Sequence, residues 1–338
     1  MSDAPRIAVL GAGSVGCFVG GAWKMAGLCV SLIGRPKLAH DVDQHGLTLS
    51  DYSGWQAHLP RGEIEYHCDA RMLADADVIV VAVKSDATAQ AAIEIGKHGR
   101  KGATVISFQN GISNVEALEK ELGGRFQLAR GMVPFNIVYL GNGHFHKGVA
   151  GDLWADRTPD TQALSERVTA GPAALRLSDQ MLELAWGKLL INLNNAVNAL
   201  SGKTLIGELR ERDYRRVFAA SISEGLKLLK RANVKPATVG PIGPDWLPRV
   251  IDSPDWLFNN IFLRRWKIDA KARSSMADDL AAGRKTEVEY LNGELVRLAR
   301  QAGVSAPVNR AIVELVHEAE AGAPPLTAKA LRRAALGR

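Results

Sequence analysis

Cysteine is scarce in this sequence. Its three copies among 338 residues, Cys17, Cys29 and Cys68, follow neither a disulfide-framework nor a metal-ligand spacing, so no stapled mini-fold and no bound metal is expected. Long hydrophobic runs are missing too. None approaches the ~20 residues that span a bilayer, and no membrane partner is expected. The strand-like "RIAVLGAG" is reached within six residues of the start. That leaves no room for the charged region, apolar core and cleavage site of a secretory signal, and the cytoplasm is the expected compartment. Charge of one sign is only in mild excess, 42 Lys and Arg against 36 Asp and Glu for a formal +6. The short basic clusters "RRWK" (Arg264–Lys267) and "RRAALGR" at the C-terminus read as solvated faces, and no nucleic-acid partner is expected.

What remains is an ordinary globular composition, 46% apolar and 23% charged, on a chain long for one hydrophobic core. Two domains are therefore expected. The first half carries short, almost continuously apolar runs: "RIAVLG" (Arg6–Gly11), "CVSLIG" (Cys29–Gly34), "DVIVVAV" (Asp77–Val83) and "TVISF" (Thr104–Phe108). A helically spaced segment, Val15–Gly27, separates the first two. Such alternation predicts a parallel α/β sheet covered on both faces. Asn142-Gly143, between two β-like runs, predicts a tight hairpin. After about Ser178 the period becomes helical and no strand alternation returns. The predicted division is an α/β domain over residues 1–178 and an all-helical domain over residues 179–338. Within the latter, a Pro/Trp-rich segment, Lys235–Lys267, contains "PDWL" twice. It reads as a long helix connection whose tryptophans cover the core or the mouth of a cleft, with Ser253 as an N-cap ahead of Pro254.

"VLGAGSVG" places Gly11, Gly13 and Gly16 directly after a strand and at the start of a helix, with Ser14 and Val15 between the last two. The first glycine allows a tight turn, the second lets a pyrophosphate approach backbone, and the third lets helix and strand pack closely. The helix N-terminus then offers N–H groups to phosphate. An acidic residue ending the second strand would bind a ribose 2′-OH. Here that place holds Arg35, whose planar fork suits a 2′-phosphate, a surface arginine being the alternative. Lys84 and Asn110 each follow an apolar strand, where ligands bind in open α/β sheets.

The stretch "AWGKLLINLNNAVNAL" (Ala185–Leu200) reads as one buried helix, yet it holds a lysine and four asparagines. At 100° per residue, Lys188, Asn192 and Asn195 share one stripe, while Asn194 and Asn198 face elsewhere. Buried amides need partners, which an interdomain contact or a ligand cleft would supply. The lysine favours the cleft, because burial lowers an ammonium's pKa toward useful values. Farther on, Thr286-x-x-Glu289 matches a capping box that would put Glu287 at the first helical position. Ser274 or Ser275 would cap a second helix bearing Asp278 and Asp279.

Taken together, "GAGSVG", "IGRP", "VKS", "QNG", "WGKLLIN" and "SSMADDLAAGRKTEVEYLNG" resemble the ketopantoate reductase (2-dehydropantoate 2-reductase) family, in the family's order from Ile7 to about Val304. The resemblance implies a Rossmann-type domain followed by an all-α domain like the C-terminal domain of 6-phosphogluconate dehydrogenase. It implies reduction of ketopantoate to D-pantoate with NADPH, for pantothenate and coenzyme A synthesis, by a small-molecule enzyme that a homodimer would suit. It further implies Lys188 as the general acid and Glu287 as its catalytic partner and cofactor contact. Asn192, Ser275 and Asn110 would bind substrate, and Gly11, Gly13, Ser14, Val15, Gly16, Arg35, Lys84 and Asn110 the cofactor. Two positions depart from the family's pattern. Ala196 and Ala272 stand where it usually has asparagines, and Asn195, on the lysine's face, is expected to compensate. A bulkier 2-oxo acid is the alternative substrate, and a non-catalytic NADPH-binding regulator the alternative class.

Overall fold

In this computed structural model, residues 5–266 and 268–337 are described. Contacts divide the chain into two compact units, Met1–Met181 and Leu182–Arg338.

The first unit is built on an eight-stranded sheet in the order β12-β11-β8-β7-β6-β1-β2-β5. Its strands are β1 (Arg6–Leu10), β2 (Cys29–Ile33), β5 (Glu65–His67), β6 (Val78–Val81), β7 (Thr104–Ser107), β8 (Gln127–Met132), β11 (Leu153–Asp156) and β12 (Leu175–Ser178). The four apolar runs singled out above form its centre, all parallel. Every residue of β6 and β7 is buried, as continuous apolar strands require when both faces are covered. Helices α1 (Ser14–Met25), α2 (Pro36–His45), α3 (Thr88–His98), α4 (Asn114–Leu122) and α5 (Pro159–Arg167) complete the unit. Two hydrophobic clusters lie on the two faces of the central strands, one around Val9, Phe18 and Trp23, the other around Ala8, Ile79 and Val105.

The sheet is not wholly parallel, because β11 runs antiparallel to β8. A second, four-stranded sheet, β4-β3-β10-β9, uses β3 (Leu47–Asp51), β4 (Gln56–Leu59), β9 (Ile137–Gly141) and β10 (His144–Lys147). These strands are short, and β3, β4 and β10 carry charged or polar residues at alternate positions, so they lack the apolar continuity that marks the central ones. The predicted hairpin joins β9 to β10, with Asn142 at φ 50° and Gly143 at φ 69°. Both are left-handed values that a two-residue hairpin turn demands.

Among its described residues the second unit is helical. It contains α6 (Met181–Asn192), α7 (Asn194–Ser201), α8 (Leu205–Leu209), α9 (Arg212–Arg231) and, later, helices over Ser275–Ala281, Asn292–Gln301, Pro307–Glu320 and Ala328–Leu336. Helix α9 is the hub, packing against α7, α8, Leu247–Ile251 and three of the C-terminal helices. No helix in the described residues is long and apolar enough to cross a membrane.

Four local expectations are corrected. The lysine–asparagine stretch is two helices that meet at Leu193, which keeps a right-handed helical φ and ψ of −58° and −23°, so the side-chain stripe continues across the break. Thr286 and Glu289 form no capping box: Glu320 accepts from both the Thr286 N–H and hydroxyl, and Glu289 pairs with His317. Glu287 instead precedes a 3₁₀ turn, Val288–Tyr290. Ser253 caps nothing, because its hydroxyl donates back to the Val250 carbonyl.

The fourth correction concerns the tryptophans of the Pro/Trp-rich segment. Trp246 and Trp256 are 62% and 69% exposed rather than covering a core, while Trp266 packs edge-on against Phe258; Lys267 lies outside the described residues. What secures the segment is Arg215. Fully buried on α9, it donates to the carbonyls of Leu209, Ile251 and Ser253, pairs with Asp255 and lies over the Phe258 ring. A guanidinium with three carbonyls, a carboxylate and a ring face is a charge whose burial is compensated at each of its three nitrogens.

Candidate active site

The residues expected to face a cofactor lie at the carboxyl ends of neighbouring strands of the first unit. Strands β7, β6, β1 and β2 are adjacent and parallel, so the glycine loop, Arg35, Lys84 and Asn110 all project beyond neighbouring carboxyl ends. Because β1 is flanked by β2 on one side and β6 on the other, a crevice opens there, the position that binds ligands in open α/β sheets.

The three glycines serve three different ends. Gly11, at φ 95°, could carry no Cβ without striking the β6–Val83 backbone. A Cβ on Gly16 would lie 2.6 Å from the Gly11 carbonyl oxygen and 3.1 Å from Val9, so this glycine closes helix against strand. Gly13 is different. Its Cβ would meet nothing nearer than 4.0 Å, so no protein contact requires a glycine there. Gly13 also caps α1 without a side chain, and its carbonyl takes the first helical bond, from Cys17 N–H at 2.9 Å. The N–H groups of Ser14, Val15 and Gly16 therefore have no acceptor within the helix. Open space over bare helix-terminal donors fits the pyrophosphate of a dinucleotide.

Arg35 is exposed and sits at the start of α2. Lys84, also exposed, precedes a short 3₁₀ turn after β6. A buried amide–hydroxyl network fixes the β6 and β7 loops. Gln109 Nε2 donates to Thr88 Oγ1 at 2.7 Å and to the Val83 carbonyl at 3.2 Å, and the Ser85 hydroxyl donates to the Asn110 carbonyl at 3.1 Å. Gln109 is thus committed to holding the loops, and Asn110 is the partly exposed residue of the pair.

On the second unit, the stripe stands out by exposure. Lys188, Asn192 and Asn195 are each partly exposed, whereas Trp186, Leu189, Leu190, Leu193 and Ala196 beside them are buried. Burial of the Lys188 ammonium lowers its pKa to about 8, and the Glu287 carboxylate opposes that shift. Lys188 and Glu287 are therefore close enough to act on one another.

The off-stripe asparagines have structural work. Asn198 accepts the Ser274 N–H at 2.9 Å and donates to the Lys203 carbonyl at 3.1 Å. Ser274, not Ser275, caps its helix: its hydroxyl accepts from Ala277 N–H and donates to the Asn195 carbonyl at 3.0 Å. With the cap assigned to its neighbour, Ser275 is exposed and available at the helix start. Asn194 donates to Glu208 Oε2 at 3.0 Å. Glu208 is fully buried, and burial pushes its carboxyl up to about 8 against the pull of Asn194, Arg215 and Asn198. Glu208 Oε1 and Asn194 Oδ1 are both buried acceptors without a donor, which a neutral carboxyl relieves by bringing a proton of its own. Glu208 carried no motif in the sequence and was missed. Among the described residues no cluster of metal-ligating side chains occurs.

Two models of one family match this chain in succession, "Ketopantoate reductase PanE/ApbA" over residues 7–159 and "Ketopantoate reductase PanE/ApbA C terminal" over residues 180–320. The chain belongs to the ketopantoate reductase family. Members are NAD(P)-dependent oxidoreductases acting on CH–OH groups. The chain is 26% identical over 326 residues to a 2-dehydropantoate 2-reductase of Archaeoglobus fulgidus, covering 94% of this chain and 98% of that protein. It is 26% identical over 327 residues to one of Halobacterium salinarum, covering 93% and 99%. Among solved structures, a ketopantoate reductase of Ralstonia eutropha superposes with a TM-score of 0.80 at 27% identity, over 94% of this chain and 98% of that one. D-mandelate dehydrogenase with NADH and anilino(oxo)acetate shares the fold, with a TM-score of 0.76 at 19% identity. Ala196, where an asparagine was expected, is fully buried on this scaffold. The amide on the exposed stripe is its neighbour, Asn195.

Proposed function

We propose that this ketopantoate reductase family member reduces 2-dehydropantoate to D-pantoate with NADPH, in the cytoplasmic synthesis of pantothenate and coenzyme A. The observation that carries the reading is the Lys188 ammonium on a partly exposed stripe, its pKa drawn down to about 8 by burial with Glu287 opposing the shift. Support on the cofactor side comes from the open space over Gly13 and the uncapped helix behind it.

When bound, NADPH supplies a hydride to the carbonyl carbon. The chain's own residues do the rest. The Lys188 ammonium donates a proton to the ketone oxygen as the C–O π bond breaks, so the product is the neutral alcohol and the lysine is left as an amine. Before transfer the same cation stabilises the charge developing on oxygen. Glu287 keeps Lys188 protonated by opposing its desolvation. Asn192, Asn195 and Ser275 offer amide and hydroxyl groups to the substrate's carboxylate and hydroxyl, and Asn110 contributes from the β7 loop. Gly11, Gly13 and Gly16 shape the phosphate loop; Ser14 and Val15 give it their N–H groups. Arg35 and Lys84 supply cations, Arg35 to the 2′-phosphate. A homodimer is the proposed assembly.

The test is a matrix of initial rates: NADPH and NADH, each with 2-dehydropantoate and with bulkier 2-oxo acids. The reading expects 2-dehydropantoate with NADPH to give the highest kcat/KM. Arg35→Ala should raise the NADPH KM about tenfold or more while leaving that for NADH nearly unchanged, since a charged hydrogen-bonding pair is lost for one cofactor only. Asn195→Ala should raise the oxo-acid KM. Turnover of a bulkier acid in place of 2-dehydropantoate overturns the substrate and keeps the class.

A further inference from the structure

Between Gly11 and Gly13, the Ala12 carbonyl is held by two side chains from different elements. The Tyr66 hydroxyl donates to it at 2.7 Å from β5, and the buried Cys17 thiol donates to it at 3.3 Å from α1. The neighbouring backbone is equally committed. Gly11 and Ala12 N–H both donate to the Ile33 carbonyl at 2.9 Å, and Gly13 N–H donates to the Gly11 carbonyl at 2.7 Å. Of the donors in this loop, only those of the first turn of α1 are left for a ligand.

Tyr66 also touches the next strand end. A Cβ on Gly34 would collide with its hydroxyl, so the phenol lies directly against the residue that precedes Arg35. The Arg35 backbone N–H and guanidinium both act on this phenol, favouring its ionised form. Burial, the larger influence, together with the Cys17 and Cys68 thiols, raises its pKa instead and keeps it a proton donor. Gly34 N–H in turn donates to the His67 carbonyl at 2.9 Å. One hydroxyl thus ties the ends of β5, β2 and β1 together at the place where phosphate and 2′-phosphate would be read.

We infer that Tyr66 is a positioning residue for the dinucleotide: its hydroxyl sets the Ala12–Gly13 peptide and couples it to the Gly34–Arg35 turn, so that the first-turn N–H groups of α1 and the Arg35 guanidinium are presented as one unit. The ligand class is a dinucleotide carrying a 2′-phosphate, and in that respect the inference rests on the NADPH reading above. Tyr66 acts through the loop, by way of the Ala12 carbonyl.

The test is Tyr66→Phe, which removes one oxygen and keeps the ring. NADPH binding, followed by fluorescence titration without substrate, should weaken about three- to tenfold, the range expected for one lost hydrogen bond. NADH binding should weaken less, so the preference for NADPH falls. At saturating NADPH, kcat and the oxo-acid KM should stay within about twofold of wild type, a split that loss of stability alone does not produce. Unchanged NADPH binding with a lowered melting temperature would make Tyr66 a fold residue and overturn the inference. Wild-type protein that binds no NADPH would overturn the cofactor reading and this inference together. A second readout needs no variant. NADPH should slow amide exchange at residues 66–68 along with residues 11–16, and protection confined to the loop contradicts the coupling.

Discussion

The glycine loop and the Lys188 helices are both polar sites set in apolar surroundings, and they are made in opposite ways. At the loop the informative feature is side chains that are missing. Gly11 and Gly16 are forced by neighbouring backbone and packing, but Gly13 faces open space. Along α6 and α7 the informative feature is side chains that are present. Asn194 and Asn198 are engaged by Glu208, Lys203 and Ser274 inside the fold, but Lys188, Asn192 and Asn195 stay partly exposed. In each region, setting aside the residues that the fold explains leaves the ones it does not. Those remainders are the functional candidates.

The comparison can be broken at either end. The largest effect is expected at Lys188. Lys188→Ala should lower kcat by about 10²- to 10⁴-fold, the usual worth of a positioned proton donor, with NADPH binding little changed, as stopped-flow rates and titration would show. An equal loss of cofactor affinity would move Lys188 into binding. The next effect separates two glycines of one motif. Gly13→Ala should leave the melting temperature near that of wild type and weaken NADPH binding at least tenfold, because the added methyl enters the ligand's space. Gly16→Ala should instead lower the melting temperature, since a Cβ at 2.6 Å from the Gly11 oxygen must move protein. If both variants lose stability alike, the open space over Gly13 has no functional meaning.

The smallest effect concerns Glu208. Its carboxyl pKa is raised to about 8 in the fold from an ordinary 4.5, so between those values the folded chain holds a proton that the unfolded chain has released. Its contribution to stability is complete below the unfolded value and is lost as pH rises through the folded one. Glu208→Gln mimics the neutral acid. Its melting temperature should decline less than that of wild type between about pH 5 and pH 8. Parallel declines would show that Glu208 does not hold the proton.

The central strands, the hairpin at Asn142-Gly143 and the helical second half were legible in the sequence because each is a local signal: apolar continuity, a turn pair, a 3.6-residue period. Strands β3, β4, β5 and β11 were not legible. They are three to five residues long, carry polar side chains, and gain their stability from partners far along the chain. At the site, the Lys188 stripe could be read because helical geometry carries through Leu193. The capping box failed because Glu320 and His317, some thirty residues away, compete for Thr286 and Glu289. Glu208 and Tyr66 were invisible for the same reason, since a lone glutamate or tyrosine acquires meaning only from what the fold sets against it.

The most direct test is the pH dependence of kcat/KM for NADPH-driven reduction. If the Lys188 ammonium, lowered to about 8 by burial and supported by Glu287, is the proton donor, the rate is at its plateau below that value. Above it the rate falls tenfold per pH unit. Glu287→Gln should move the break to lower pH, because the carboxylate that favours the charged lysine is gone. A profile that stays flat through about pH 9.5, or a break that survives in Lys188→Ala, would contradict the account.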